Sequence, residues 1–158
     1  MSHVITTQDA NGRATFSSKV PEQRKQLPMP LGSMSFLYAS HLFPPDISTE
    51  ADIDTYVTCR DMGLGPGVAC PPGGTAVSSI EIAPEMTSPM RKMPTLGIFY
   101  VLEGEVRLHL DGGDARLLKA GDSGVIRGSV HSWANETPDN GIVKLLSFSQ
   151  SLALSAVS

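Results

Sequence analysis

Of the 158 residues, 41% are apolar and 18% charged, and twelve basic side chains stand against sixteen acidic ones for a net charge of −4. That balance suits one globular domain that can bury a core without disulfide or metal staples, and it excludes a disordered chain. No basic run or aromatic-basic interleaving appears, which argues against nucleic acid and anionic membranes as partners.

The first twenty residues, Met1 to Val20, are rich in Ser and Thr and lack the apolar core of a signal peptide. No apolar stretch approaches the ~20 residues that cross a bilayer. Cys59 and Cys70 have no CxxC spacing, so two free thiols in a reducing compartment are expected. The expected location is the cytoplasm.

Eleven of the twelve prolines precede residue 95. Proline cannot donate to a sheet ladder, so the first half should hold loops, edge strands and crossings, and the second half the central strands. Met34 to Ala39 is β-like and ends before Pro44-Pro45. The stretch Ser48-Thr49-Glu50-Ala51-Asp52-Ile53 can start a short helix, with Thr49 as cap and Asp52 answering it. Apolar Ile53, Tyr56 and Val57 follow at helical spacing. That helix should stop near Gly63, and residues 63–74 read as a Pro/Gly loop.

From Thr75 the texture is that of strands: Ala76 to Ala83, then Leu96 to Leu102, then Glu105 to Leu110, which alternates polar and apolar. Asp111-Gly112-Gly113-Asp114 is a hairpin turn. Ala115 to Lys119, Gly124 to Arg127, Val130 to Trp133 and Ile142 to Phe148 supply four more strands, punctuated by Gly, Asp or Asn. Many short strands at this spacing predict an all-β barrel or sandwich. Residues 1–74 are expected to be an N-terminal arm of edge strands and a short helix packed on a barrel of residues 75–150. The whole is expected to be one structural domain.

The run Tyr100-Val101-Leu102-Glu103-Gly104-Glu105-Val106, then Leu118-Lys119-Ala120-Gly121-Asp122, then Arg127-Gly128-Ser129-Val130-His131-Ser132-Trp133-Ala134-Asn135 resembles the cupin superfamily. Gly128, His131 and Asn135 match its second motif, and the resemblance covers roughly the last half of the chain. It implies a double-stranded β-helix (jelly-roll) barrel and, commonly, a homodimer made by exchange of N-terminal strands. More narrowly, Ser88-Pro89-Met90-Arg91-Lys92-Met93 resembles the Ser-Pro-Met-His-Arg-Thr stretch of small one-domain cupins of fungal secondary-metabolite pathways.

A metal-binding cupin draws two histidines and a carboxylate from its first motif and another histidine from its second. The first-motif positions fall at or near Arg91, Met93 and Gly97, so His131 alone remains. One imidazole holds a transition ion weakly, because such sites use three or four protein ligands. Arg91 and Lys92 add positive charge there. The expectation is no metal and no other cofactor; the alternative is a divalent metal at His131 with a further ligand such as His41. His109, between Leu108 and Leu110, should point away from them.

His131, which the resemblance places at the barrel mouth, is the candidate proton shuttle, since an imidazole moves protons near neutral pH. Arg91 is the candidate anion or enolate stabiliser through its guanidinium fork. Trp133 shares a strand face with His131, and with Phe99, Val101 and the gap-filling Met93 it is expected to form the substrate wall. This equipment fits a metal-independent enzyme acting on a polyketide-like, aromatic or keto-acid metabolite by decarboxylation, dehydration, cyclisation or isomerisation. The alternatives are a metal-dependent cupin dioxygenase and a non-catalytic small-molecule-binding cupin.

Overall fold

The structure is a computed structural model that describes residues 1–153. Along the chain run β1 (Thr6–Gln8), β2 (Ala14–Phe16), β3 (Leu27–Met29), β4 (Gly32–Ser40), α1 (Ala51–Met62), β5 (Thr75–Ile82) and β6 (Arg91–Lys92). They continue with β7 (Thr95–Glu103), β8 (Glu105–Leu110), β9 (Ala115–Lys119), β10 (Ser123–Arg127), β11 (Val130–Asn135) and β12 (Val143–Ser151). A six-stranded sheet in the order β10-β7-β12-β5-β4-β3 faces a four-stranded sheet in the order β6-β11-β8-β9. Their pairings are antiparallel, and the two sheets close on a shared core as the jelly-roll barrel expected from the sequence.

Alternation decides what enters that core. On β8, Val106, Leu108 and Leu110 lie opposite Asn135, Trp133 and His131 of β11, while Arg107 and His109 take the other face. On the large sheet, Phe99 and Val101 of β7 stand opposite Ser147 and Leu145 of β12. Ile82, Phe99, Val101, Val106, Val143 and Leu145 form one buried cluster, with Trp133 and Ile126 packed against it. Turn residues keep the strands in register. Gly104, at φ 84°, lets the β7–β8 turn pass where any Cβ would sit 2.4 Å from the Ile142 carbonyl.

The first half of the chain is more regular than its prolines suggest. β4 sits between β3 and β5 in the large sheet, with Pro28 confined to the edge strand β3, where its missing N–H costs no ladder bond. The N-terminal segment pairs within its own chain, β1 against β2. Helix α1 packs Ile53, Tyr56 and Cys59 against Phe36 and Ala39 of β4. Its cap differs from the expected one. Glu50 is the N-cap and makes no side-chain cap bond, and the Thr49 hydroxyl instead accepts from the Ala51 N–H at 3.3 Å. Asp52 turns inward to accept from the Tyr38 hydroxyl at 2.7 Å, so a tertiary bond replaces the reciprocal cap. The helix ends at Gly63, whose N–H donates to the Cys59 carbonyl. Cys59 and Cys70 are free thiols, both buried. Among the described residues no helix is long and apolar enough to cross a membrane.

Candidate functional site

A cavity of about 130 Å³ lies inside the barrel, above the buried cluster. Its aromatic wall is Trp133 of β11 and Phe99 of β7, which meet edge to face with ring centroids 4.9 Å apart. His131 enters from the same strand as Trp133, at 7% exposure, with the two rings perpendicular and their centroids 5.8 Å apart. Ile80, Met93, Ile126 and Leu145 add to the apolar part, and Ala69 from the loop of residues 63–74 reaches the lining. Across from Trp133 and beside Phe99 on the large sheet, Thr95 of β7 and Ser147 and Ser149 of β12 bring hydroxyls to the lining.

The imidazole of His131 is anchored through Nδ1. Its Nδ1 lies 2.9 Å from the Ser129 carbonyl oxygen. A carbonyl only accepts, so Nδ1 carries the hydrogen and a neutral ring keeps its lone pair on Nε2. The ring is thus held by its backbone contact, with Nε2 not engaged by any protein group among the described residues.

Arg91 reaches this site by strand pairing. Residues 87–92 run antiparallel along β11: the Ser88 N–H donates to the Trp133 carbonyl at 2.7 Å, and Arg91 falls opposite His131. Directly opposed residues share a sheet face, so Arg91 and His131 start toward the same side. The Arg91 side chain is exposed and does not line the cavity; its Nη1 lies near Gly67, where a built Cβ would sit 3.8 Å away. It stands at the rim, against the 63–74 loop.

The sequence-predicted residues therefore separate. His131, Trp133, Phe99 and Met93 come together around the cavity. Val101 faces the interior as expected but lies one step deeper, at 0% exposure in the packed cluster, and touches no free space. Thr95, Ser147 and Ser149 line the cavity without having been singled out, and so does Gly97, which the resemblance marks only as a vacated first-motif ligand position. The signal for Thr95 and Gly97 was available, because both fall in step with Phe99 on β7.

The donor set does not fit a resident transition ion. Among the described residues no group of three or more His, Cys, Asp or Glu side chains comes together. The other polar side chains at His131 are hydroxyls and a thioether, not the imidazole and carboxylate ligands such an ion needs. His41 cannot supply the missing ligand: it is exposed, bonded through Nδ1 to Thr55 at 2.9 Å, and absent from the lining. His109 shares the outward face with Ser132.

The two sheets and an interior site opening between them define a cupin. No family model matches the chain, but whole proteins do. It is 32% identical over 137 residues to phomopsin biosynthesis cluster protein C' of Diaporthe leptostromiformis, covering 84% of this chain and 69% of that one. It is 33% identical over 132 residues to oryzines biosynthesis cluster protein J of Aspergillus oryzae, covering 83% and 72%. A cupin-domain-containing oxidoreductase of Neurospora crassa is 28% identical over 136 residues, covering 85% and 66%. Among solved structures, an RmlC-like cupin from Shewanella frigidimarina superposes with a TM-score of 0.54 at 17% identity, covering 86% of this chain and 91% of that one. The chain belongs to the cupin proteins of fungal secondary-metabolite biosynthesis clusters.

Proposed function

We propose that this cupin is an enzyme that acts, without a resident metal, on a small aromatic, polyketide-like or keto-acid metabolite. The observation that carries this reading is His131, whose Nδ1–H is committed to the Ser129 carbonyl while Nε2 is left for a guest. Decarboxylation, dehydration, cyclisation and isomerisation can each pass through an enolate. In isomerisation and cyclisation a C–H proton passes to Nε2 and its electron pair stays in the enolate; in dehydration that enolate expels hydroxide, which leaves as water with the same proton. In decarboxylation carbon dioxide departs and the carbanion takes a proton that Nε2 has drawn from solvent. Nε2 of His131 takes and gives that proton, and the Arg91 guanidinium at the rim holds the carboxylate or the developing oxyanion. Trp133, Phe99 and Met93 exclude water from the reacting part. Lyase chemistry ranks ahead of isomerisation, and the working location is the cytoplasm.

A second reading, a cupin oxidoreductase, draws on the likeness to the cupin-domain-containing oxidoreductase of Neurospora crassa. A third, a carrier without catalysis, has the same cavity but needs no proton transfer.

One experiment separates the three. Protein purified without chelator is analysed for metal, then incubated in D₂O with candidate β-keto and aromatic acids and followed by NMR. The expected result is substoichiometric metal, deuterium at the substrate carbon, and a loss of roughly 10²–10⁴-fold in His131→Ala. A full equivalent of metal lost in His131→Ala overturns metal independence. Ligand binding with no exchange in any candidate favours the carrier. We also propose that two copies of the chain form the working unit.

A further inference from the structure

We infer that Gly97 is a specificity-determining position, and that the part of the substrate seated in the barrel is a single oxygen-bearing six-membered ring lying against its bare backbone. This rests on the reading of the cavity as an organic-ligand chamber. A glycine inside a strand weakens it and often marks the close approach of another group. Nothing in the fold asks for glycine here. The backbone of Gly97 is not in the left-handed region, and a Cβ built on it would meet nothing nearer than Ile126, at 3.9 Å. Gly97 lies opposite Ile126 on one side and Ser149 on the other, and all three line the cavity. A side chain at position 97 would therefore project into the free space. Other glycines of the barrel differ: at Gly124 a Cβ would collide with the Phe99 ring at 2.6 Å, so that one is demanded by packing.

The size and lining set what fills the gap. A closed apolar cavity of roughly 150 Å³ takes one benzene molecule, and this one is about 130 Å³. A fused bicyclic system would overfill it, leaving its second ring in the mouth. Trp133 of the small sheet offers a flat apolar wall, and the large sheet across from it offers the hydroxyls of Thr95, Ser147 and Ser149 beside the Phe99 ring. No side-chain hydrogen bond within the described residues uses those three hydroxyls. An aromatic ring bearing a hydroxyl or carbonyl satisfies both walls, and a carboxylate or longer tail at its far end would leave through the mouth toward Arg91.

The test titrates 4-hydroxybenzoate and 6-hydroxy-2-naphthoate against Trp133 emission in wild type, Gly97→Ala and Gly97→Val. The wild type should bind the monocyclic probe saturably and the bicyclic probe at least tenfold more weakly. Gly97→Val should weaken the monocyclic probe at least tenfold, and Gly97→Ala by less, with neither variant melting lower than wild type. If the wild type binds the monocyclic probe and Gly97→Val binds it equally well, the ring does not lie at Gly97 and this inference fails, while the chamber stands. Equal binding of both probes by the wild type overturns the one-ring limit. A lower melting temperature in Gly97→Ala makes the glycine structural and also overturns the inference. If neither probe perturbs Trp133 in the wild type, the chamber itself is refuted.

Discussion

The Asn135 side-chain amide donates to the Ala83 carbonyl at 2.9 Å, tying the end of β11 to the loop that leaves β5. The same nitrogen lies 3.0 Å from the carbonyls of Ile82 and Gly141, while Oδ1 accepts from the Thr137 N–H at 2.9 Å. One buried amide thus ties the exit of β5 to the loop between β11 and β12. Residue 135 ends the second cupin motif, yet in this chain it does not line the cavity; its work is structural. Asn135→Ala should cost about 1–3 kcal/mol, the usual penalty for leaving buried polar partners unsatisfied. Asn135→Asp should cost more, since a carboxylate would face carbonyl oxygens it cannot bond. Urea denaturation of the two variants checks the order, and Asp tolerated as well as Ala would contradict it.

The second half of the fold was readable because alternation and Gly, Asp or Asn turns recur at short intervals. The expected strand Glu105 to Leu110 and the expected Ala115 to Lys119 coincide with β8 and β9. The first half was less readable. Three-residue strands such as β1 and β2 carry too short a pattern to stand out, and they exist through pairing with each other. At the site, period two fixed the face of Val101 but not its depth along the barrel axis. Ser147 and Ser149 went unnoticed for a related reason. On β12 the outward Leu146 and Phe148 are more apolar than the inward serines, so apolarity did not mark the inner face.

Gly124 and Phe99 are register partners on β10 and β7, and the ring fills the volume a side chain at 124 would need. Phe99 cannot retreat freely, because Trp133 stands edge-on to it. Gly124→Ala should therefore destabilise by about 1–3 kcal/mol, the usual cost of overpacking, and should shift Trp133 emission through the displaced ring. Thermal melts and the emission maximum report both effects. A stable variant with unchanged emission would mean that the ring has room to swing aside.

Ile98, Tyr100 and Leu102 of β7 and Val125 of β10 project outward at 44%, 45%, 50% and 58% exposure. Val125 lies directly opposite Ile98, so the apolar side chains form one band across two strands. A contiguous exposed band of this kind marks an association surface, and in the proposed dimer a second copy covers it by presenting the same band about a twofold axis. Tyr100→Glu would place like charges face to face at that contact. Sedimentation should give twice the chain mass for wild type and the single mass for Tyr100→Glu. A monomeric wild type would refute the pairing, and a dimeric Tyr100→Glu would move it to another surface.

His3 ties the N-terminal segment to the helix and makes that contact pH-dependent. Its ring packs on Tyr56 with centroids 5.5 Å apart. Burial lowers its pKa below the ordinary 6.5, and the positive charges of Arg24 and Arg60 push the same way, against the hydrogen bond to the Leu37 backbone. The unfolded chain therefore takes up this proton at a higher pH than the folded one. The contribution of His3 to stability is complete above its unfolded pKa of about 6.5. It is lost progressively as pH falls from there toward the lower folded value. Melting temperature should accordingly drop between pH 7.5 and 5.5, and His3→Gln should flatten that slope. An identical slope in His3→Gln would show that this imidazole titrates alike in both states and that the N-terminal segment is not held by a neutral ring.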